Sequence, residues 1–153
     1  MSIKYWLVKS ECEVYSIDNL AKDKVTHWDG VRNYQARNYL RDEMKVGDQV
    51  LFYHSNGAVP AAVGVCEVVK EGYPDFTAFD INHENFEPRD NPGKPTWFMV
   101  DLKFVSKFTK PVPLHDMRTN YKLLNMKLLE RGNRLSVVPV EKEEFDEIIN
   151  MSL

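Results

Sequence analysis

Runs of apolar residues along the chain predict five β-strands. Ile3–Lys9 is apolar on both faces near its middle, which is typical of a strand in the centre of a sheet. Gln49–His54 follows a Gly-Asp turn, which marks the start of a second strand. The same reasoning places three further strands at Ala61–Val69, Trp97–Val105 and Arg134–Val138.

Glycine and proline residues indicate where these strands bend or end. Gly64 lies inside the third strand, where it predicts a bulge or the close approach of another backbone. Pro111 and Pro113 are expected to end the fourth strand, and Pro139 the fifth, because proline donates no hydrogen bond to a sheet. A short turn is expected at Leu114–Arg118.

Helical spacing of apolar residues is clearest in Tyr34–Met44. Ala36, Leu40 and Met44 recur every four residues there, so we expect them to face the core. The helix should end before the Gly-Asp turn that starts the second strand.

Three other helices are expected. A short helix is expected after a cap at Ser16, with Asn19 in the position where a capping box would have Glu or Gln. Gly132 should end a second helix over Tyr121–Arg131, and a third covers Glu141–Met151 with Phe145, Ile148 and Ile149 as its apolar stripe.

Residues 71–96 contain six glycines and prolines, which predict a long, irregular surface excursion. Aromatic side chains should hold it against the domain: Tyr73, Phe76, Phe79, Phe86 and Trp97. Because strands and helices do not alternate regularly, the sequence predicts an α+β fold, a mixed β barrel formed by residues 1–153 as one domain. Phe52, Tyr53 and Trp97 are expected in its core.

Composition excludes several classes of protein. A hydrophobic content of 43% and a charged content of 28% are typical of globular domains. No apolar run approaches the ~20 residues that span a bilayer, and the N-terminal residues lack a secretory pattern. Cys12 and Cys66 form no CxxC pair, which argues against a disulfide framework and a zinc site. We therefore expect a cytoplasmic monomer with no membrane contact, metal or cofactor.

The net charge of -3 is unusual for a protein that binds nucleic acid. Residues 138–153 hold five acids and one lysine, so the rest of the chain carries a charge of only +1. Any affinity for DNA or RNA should therefore depend on a pocket more than on the release of counterions.

The segment His27–Arg41 is the richest in groups that could hold a flat, anionic ligand. Trp28 could form a stacking wall for a base, or it could be an ordinary core residue. Asn33 could cap the helix that follows, or its amide could read the edge of a base. Its arginines could contact phosphate or remain solvated charges; they are Arg32, Arg37 and Arg41.

Seven motifs, in order along nearly the whole chain, make the sequence recognisable: YWLVKSE, YS, WDGVRNYQARNYLR, VGDQVLFYHS, YPD, TWFMVD and RLSVVPV. They start at Tyr5, Tyr15, Trp28, Val46, Tyr73, Thr96 and Arg134. With these motifs the chain resembles the EVE domain family of the PUA-like superfamily. One departure is Cys12, which occupies the position where the family has proline after Lys-Ser-Glu, and which should loosen the turn after the first strand.

The resemblance implies a pseudo-barrel of about five to six strands surrounded by helices. Because the aromatic, amide and arginine cluster occurs without a paired general acid and base, we expect a binding module without catalysis. The implied ligand is a modified base flipped into a pocket, either a modified cytosine in DNA or a modified base in RNA. The residues expected at the ligand are Lys9, Ser10, Trp28, Val31, Arg32, Asn33, Tyr34, His54, Ser55, Arg134, Leu135 and Ser136.

Two other functions stay open. The chain could be an enzyme acting on a modified nucleoside, as ASCH relatives in the same superfamily are. Lys9, Ser10 and Glu11 are the compact set that could supply a nucleophile or base. Successive strand residues point to opposite faces, so Lys9 and Ser10 could share a pocket only where the strand ends. The third reading is a protein-interaction domain whose pocket is vestigial.

Overall fold

The computed structural model describes residues 2–153 and is built on a six-stranded mixed sheet. The strands are β1 (Tyr5–Ser10), β2 (Val25–His27), β3 (Gln49–His54), β4 (Ala61–Pro74), β5 (Phe98–Pro113) and β6 (Val137–Val140). Their order across the sheet is β2-β5-β4-β3-β1-β6. β1 runs parallel to β3, and the other neighbouring pairs are antiparallel. The sheet is open, since β2 and β6 lie at opposite ends of it.

The helices are α1 (Ile17–Asp23), α2 (Tyr34–Asn38), α3 (Leu114–Arg118) and α4 (Lys142–Met151). Short 3₁₀ turns add to them at Phe76–Phe79, Tyr121–Leu123 and Lys127–Leu129. The predicted α+β class is therefore confirmed. Six strands agree with the five to six that the resemblance implies, and β2 is the strand that the apolar pattern did not reveal. The sheet does not close, so the expected barrel is an open one.

Two hydrophobic cores cover the two faces of the sheet. In β1, Trp6 and Val8 belong to the first core and Leu7 to the second, as the pleat of a strand requires. α1 and α2 pack in the first core, while α3 and α4 pack in the second. This burial on both faces confirms the central position predicted for β1.

The apolar stripe predicted for Tyr34–Met44 is confirmed, because Ala36, Leu40 and Met44 are all fully buried. The backbone of this segment is less regular than expected. α2 ends at Asn38 and continues as a π-helical turn, Tyr39–Glu43. Ser16 caps α1 as predicted, and Asn19 completes a capping box with it in the place of the usual Glu or Gln.

The prolines did not end the strands, so that expectation was wrong. β5 continues through Pro111 to Pro113, and β6 includes Pro139. On its far side β5 pairs with β2 only at residues 101–103, and β6 is an edge strand. A residue without an N–H is tolerated at such free edges because no neighbouring carbonyl requires the bond.

The prediction of a helix over Tyr121–Arg131 was also wrong. Two separate 3₁₀ turns occupy the segment, and Met126 between them has an extended backbone with φ -63° and ψ 133°. Leu123, Met126 and Leu128 are buried while Leu124 is 76% exposed. The spacing of these buried residues follows the two 3₁₀ turns and differs from that of an α-helix.

Residues 71–96 are more ordered at their start than expected, because β4 extends to Pro74. Of the aromatic residues predicted to hold the excursion, Trp97 is buried and Phe76 is half exposed. Gly64 confirms the prediction of close approach. A Cβ at this position would lie 2.5 Å from the Ser106 carbonyl oxygen on β5.

Candidate functional site

Residues of the loop Trp28–Asn33 line two cavities. The first, which we call the Trp28 cavity, has a volume of about 600 Å³. It brings together six of the residues predicted from the sequence: Lys9, Ser10, Trp28, Val31, Arg32 and Ser136. Its remaining wall includes Glu11, which the sequence offered only for the alternative enzyme. It also includes residues absent from the predicted ligand-binding set, among them Tyr15, Thr26, His27, Asp29 and Glu84.

Trp28 is both a core residue and part of the cavity wall. Only 9% of it is exposed, and its ring meets Tyr15 and Phe52 edge-on at centroid distances of 6.4 and 5.6 Å. Its backbone N–H donates to the Val100 carbonyl on β5 at 2.8 Å. The two readings of Trp28 therefore do not exclude each other, because most of the indole packs in the first core and the remainder lines the cavity.

The buried carboxylate of Asp75 fixes the loop that follows Trp28. It accepts hydrogen bonds from the Gly30 N–H at 2.8 Å and from the Arg32 guanidinium at 3.0 Å. It also accepts bonds from the backbone N–H and the hydroxyl of Thr77. Burial alone would raise the pKa of Asp75, but the hydrogen bonds from Thr77, Gly30 and Arg32 outweigh it and hold the pKa below its ordinary value.

Gly30 allows the loop to turn tightly at this point. Its φ of +78° lies in the left-handed region, where an L side chain would be strained. A Cβ here would also lie 3.0 Å from the side chain of Asn85. The turn predicted around Gly30 therefore depends on a residue without a side chain.

Arg32 is held by the protein itself. Besides Asp75, its guanidinium donates to the Asn85 carbonyl at 2.9 Å and lies 5.4 Å from the Trp97 ring centroid. Its side chain is only 24% exposed. These contacts give Arg32 a structural task that competes with its predicted contact to phosphate.

Asp29 presents a half-buried carboxyl group in the cavity wall. Burial, and then the charge of Asp75, raise its pKa above the ordinary value. Its one hydrogen bond in the described residues comes from the Asn85 side-chain amide at 3.5 Å, which is long. The carboxyl group therefore keeps acceptor capacity for a ligand.

Lys9 and Ser10 both line the Trp28 cavity, because β1 ends at Ser10. The Ser10 hydroxyl donates to the Tyr15 carbonyl at 2.6 Å. The Lys9 N–H donates to the Ser136 carbonyl at 2.9 Å, which joins the end of β1 to the chain before β6. Burial lowers the pKa of the Lys9 ammonium group.

The second cavity, which we call the Arg134 cleft, has a volume of about 430 Å³. It contains three other residues predicted from the sequence: Asn33, Arg134 and Leu135. Asn33 follows Arg32 and Leu135 precedes Ser136, so consecutive residues line the cleft and the Trp28 cavity at two places.

Asn33 is the N-cap of α2, since its side-chain oxygen accepts from the Ala36 N–H at 3.0 Å. The exposed ring of Tyr34 stacks on Trp97 with centroids 5.1 Å apart. Arg37 donates to the Thr96 carbonyl at 2.6 Å, and Arg41 pairs with Asp42 at 2.8 Å. The predicted ligand residues Tyr34, Arg37 and Arg41 line neither cavity.

His54 and Ser55 also lie outside both cavities. The Nε2 atom of His54 accepts a hydrogen bond from the Ile17 N–H at 3.1 Å, at the start of α1. Burial lowers the pKa of this imidazole, which suits a neutral acceptor. Ser55 donates its backbone N–H to the Ser10 carbonyl, so both residues support the end of β1.

The missed residues had a partial signal in the sequence. Tyr15 and Asp75 belong to the YS and YPD motifs, yet neither spacing nor periodicity connects Asp75 with Gly30, 45 positions earlier. Residues 2–153 contain no group of three or more His, Cys, Asp and Glu side chains placed to hold a metal ion. Within the same residues, every helix is too short or too polar to cross a membrane.

Comparison with known proteins identifies the family. The sequence model of the EVE domain matches residues 4–151, so the chain belongs to the EVE domain family. Thymocyte nuclear protein 1 of mouse is 42% identical over 166 residues, covering 96% of this chain and 73% of the relative.

Solved structures of similar proteins share the fold across the whole chain. A hypothetical protein from Leishmania major is 48% identical with a TM-score of 0.94, covering 99% of this chain and 95% of its own. Human THYN1 protein, solved in complex with DNA containing 5-methylcytosine, is 39% identical with a TM-score of 0.91 and 97% coverage of both chains. The expected PUA-like α+β architecture is thereby confirmed.

Proposed function

We propose that this chain binds nucleic acid and reads a modified cytosine held in the Trp28 cavity, without catalysing a reaction. The observation that carries the proposal is the cavity itself, which remains open beside Trp28. Its volume of about 600 Å³ is within the range of small-ligand pockets, roughly 300–1,000 Å³. The similarity to human THYN1 protein, which was solved with DNA containing 5-methylcytosine, supports the same ligand class.

Aromatic rings would hold the base. Tyr15, His27 and Trp28 all line the cavity, and a base stacked on an aromatic side chain gains about 1–3 kcal/mol. Because Trp28 is fixed by Tyr15 and Phe52, this wall is in place before a ligand arrives. A wall fixed in advance avoids part of the entropic cost of binding.

Asp29 is the group best suited to distinguish cytosine from thymine. Cytosine carries an amino group at the position where thymine carries a carbonyl oxygen, and a carboxylate accepts a hydrogen bond from that amino group. The Asp29 carboxylate has this acceptor capacity, since its contact to Asn85 is long. Thymine would place an oxygen against the carboxylate and be rejected.

The test uses short single-stranded oligonucleotides that differ only in one central base: 5-methylcytosine, cytosine or thymine. We expect the wild-type protein to bind the 5-methylcytosine strand most tightly. 5-Methylcytosine and thymine carry the same methyl group, so their comparison isolates the amino group. Asp29→Asn should reduce the preference for 5-methylcytosine over thymine roughly tenfold.

Asp18→Asn is a matched control, because Asp18 is an exposed aspartate that lines neither cavity. It should leave the preference unchanged. Equal affinity of the wild-type protein for all three strands would refute the proposed function. An unchanged preference in Asp29→Asn would refute only the role of Asp29.

A second candidate is an enzyme that acts on a modified nucleoside. The observation in its favour is that Lys9, Ser10 and Glu11 meet in one cavity and that burial lowers the pKa of Lys9. Against it, the Ser10 hydroxyl already donates to the Tyr15 carbonyl. Incubation with 5-methyl-2′-deoxycytidine followed by mass spectrometry decides between them. A new product mass that disappears in Lys9→Met would establish the enzyme.

Several expectations from the sequence stay predictions. They are contact between phosphate and Arg32, Arg37 or Arg41, a monomeric state, and a cytoplasmic location. The mouse relative is named a nuclear protein, which makes the nucleus an equally direct place to look for this chain.

A further inference from the structure

The charges around the two cavities differ in sign. The wall of the Trp28 cavity includes three acids, Glu11, Asp29 and Glu84, and its two basic residues are Lys9 and Arg32. Arg32 already pairs with Asp75, and burial lowers the pKa of Lys9. The rim of this cavity is therefore a poor place for the phosphates of a nucleic-acid strand.

The Arg134 cleft has the opposite character. It is lined by Lys127, Arg131 and Arg134 against one acid, Glu130, which lies 3.5 Å from Lys127. Arg131 and Arg134 are exposed, and among residues 2–153 neither guanidinium has a salt bridge or a side-chain hydrogen bond. A guanidinium with no partner in the protein keeps its donors available for a phosphate.

The backbone that carries these arginines is fixed. The Asn133 side chain donates to the Lys127 carbonyl at 2.8 Å and accepts from the Leu135 N–H at 2.9 Å. Asn33 and Tyr39 form the opposite wall of the cleft. The cleft is therefore a shaped, polar groove and not merely a set of charged side chains on a convex surface.

The position of the cleft matches the path of a strand. Arg32 lines one cavity and Asn33 the other, and the same is true of Ser136 and Leu135. Consecutive Cα atoms lie about 3.8 Å apart, so the walls of the two cavities lie close together at both places. A strand with one base in the Trp28 cavity must leave it over its rim, and the Arg134 cleft offers basic side chains near that rim.

We propose that the Arg134 cleft binds the sugar-phosphate backbone of the nucleotides next to the base held in the Trp28 cavity, with Arg131 and Arg134 contacting phosphate. This inference rests on the proposed function, and it assigns the phosphate contacts to arginines other than Arg32, Arg37 and Arg41. Those three are committed to Asp75, Thr96 and Asp42. Arg131 thereby joins the three residues of this cleft that the sequence predicted at the ligand, Asn33, Arg134 and Leu135.

The test measures how the affinity for the 5-methylcytosine and the cytosine strands depends on salt. Each phosphate contact to single-stranded DNA adds roughly 0.7 to the slope of log affinity against log salt. Arg131→Gln and Arg134→Gln should each reduce the slope by about that amount. Both strands should lose affinity by the same factor, so the preference for the modified base should not change.

Arg118→Gln is the control. It removes one exposed arginine that lines neither cavity and has no predicted ligand contact, so it should leave the slope unchanged. An unchanged slope in Arg131→Gln and Arg134→Gln would overturn the inference, and so would an equal reduction in the control. The two proposals fail separately, because the base preference of the wild-type protein tests the function and the salt slope tests the cleft.

Discussion

The Trp28 cavity and the Arg134 cleft are lined by consecutive residues at two places but are supported in different ways. The first is lined by Trp28, which belongs to the core, and by a loop tied to the buried Asp75. The second is lined by exposed arginines on a surface loop that Asn133 holds locally. In one region the residues that would contact a ligand also stabilise the fold, whereas in the other they do not.

This difference teaches how the two tasks of a reader can be separated. Recognition of a planar base needs fixed walls, and fixed walls come from buried residues. Attraction of a phosphate needs charges that remain in contact with water until the ligand arrives. Substitutions in the Trp28 cavity should therefore change stability and selectivity together, while substitutions in the cleft should change only affinity.

The largest effect is expected for Trp28→Ala. Removing a buried indole from the first core should lower the free energy of unfolding by about 3–5 kcal/mol, measured by urea denaturation. The variant should also lose its preference for the 5-methylcytosine strand at temperatures where it stays folded. Trp28→Phe keeps an aromatic ring and should recover much of both properties. A stable Trp28→Ala protein with full preference would contradict the double role of this residue.

Asp75→Ala should have the next largest effect. It leaves the Arg32 guanidinium and the Gly30 N–H without their acceptor, which should lower the free energy of unfolding by about 3 kcal/mol. Asp42→Ala is the matched control, because it breaks the exposed pair with Arg41, and such surface pairs contribute little. If both variants unfold at the same urea concentration, Asp75 is not the anchor of the loop.

The same carboxylate should make stability depend on pH. The pKa of Asp75 in the folded protein is below its ordinary value, so its contribution is fully present above about pH 4, near the pKa of an unfolded aspartate. It is lost as the pH falls through the lower folded-state pKa. In denaturation series from pH 6 to pH 2, Asp75→Asn should therefore show a shallower decline than the wild-type protein. Parallel curves would rule out this coupling.

The smallest effect is expected at Cys12, beside the Trp28 cavity. Its N–H donates to the Asn56 side-chain oxygen at 2.8 Å, which ties the end of β1 to the turn after β3. Cys12→Pro restores the residue typical of the family but removes this bond, at a cost of about 1 kcal/mol. The stiffer unfolded chain offsets a similar amount. The melting temperature should thus change little, and a large loss would show that this bond anchors the turn.

Local patterns in the sequence correctly predicted the elements whose structure depends on neighbouring residues. The stripe of Ala36, Leu40 and Met44 predicted the buried face of α2 and of the π-helical turn that continues it, and β3 has the bounds that its apolar run indicated. The prolines of β5 were misinterpreted because their tolerance depends on which edge of the strand is free. Which part of this edge is free is settled only when β2, which is distant in sequence, pairs with β5.

The site also has parts that local sequence could predict and parts that it could not. The motif around Trp28 contained both the aromatic wall and the cap at Asn33, and these follow from nearby residues. The separation of Asn33 and Ser10 into different cavities could not be predicted, since it depends on how β1 and the chain before β6 meet. Asp75 was identified only as part of a motif, because its partners are distant in sequence.

The hydrogen bond between Asp75 and Gly30 joins residues 45 positions apart, and this has a consequence for how the pocket depends on folding. The loop takes its shape only when the long β4–β5 hairpin is assembled, so no excised peptide around Trp28 could reproduce the pocket. Occupancy of the pocket would then report on the folding of the whole domain, and a bound oligonucleotide should protect residues far from it against proteolysis.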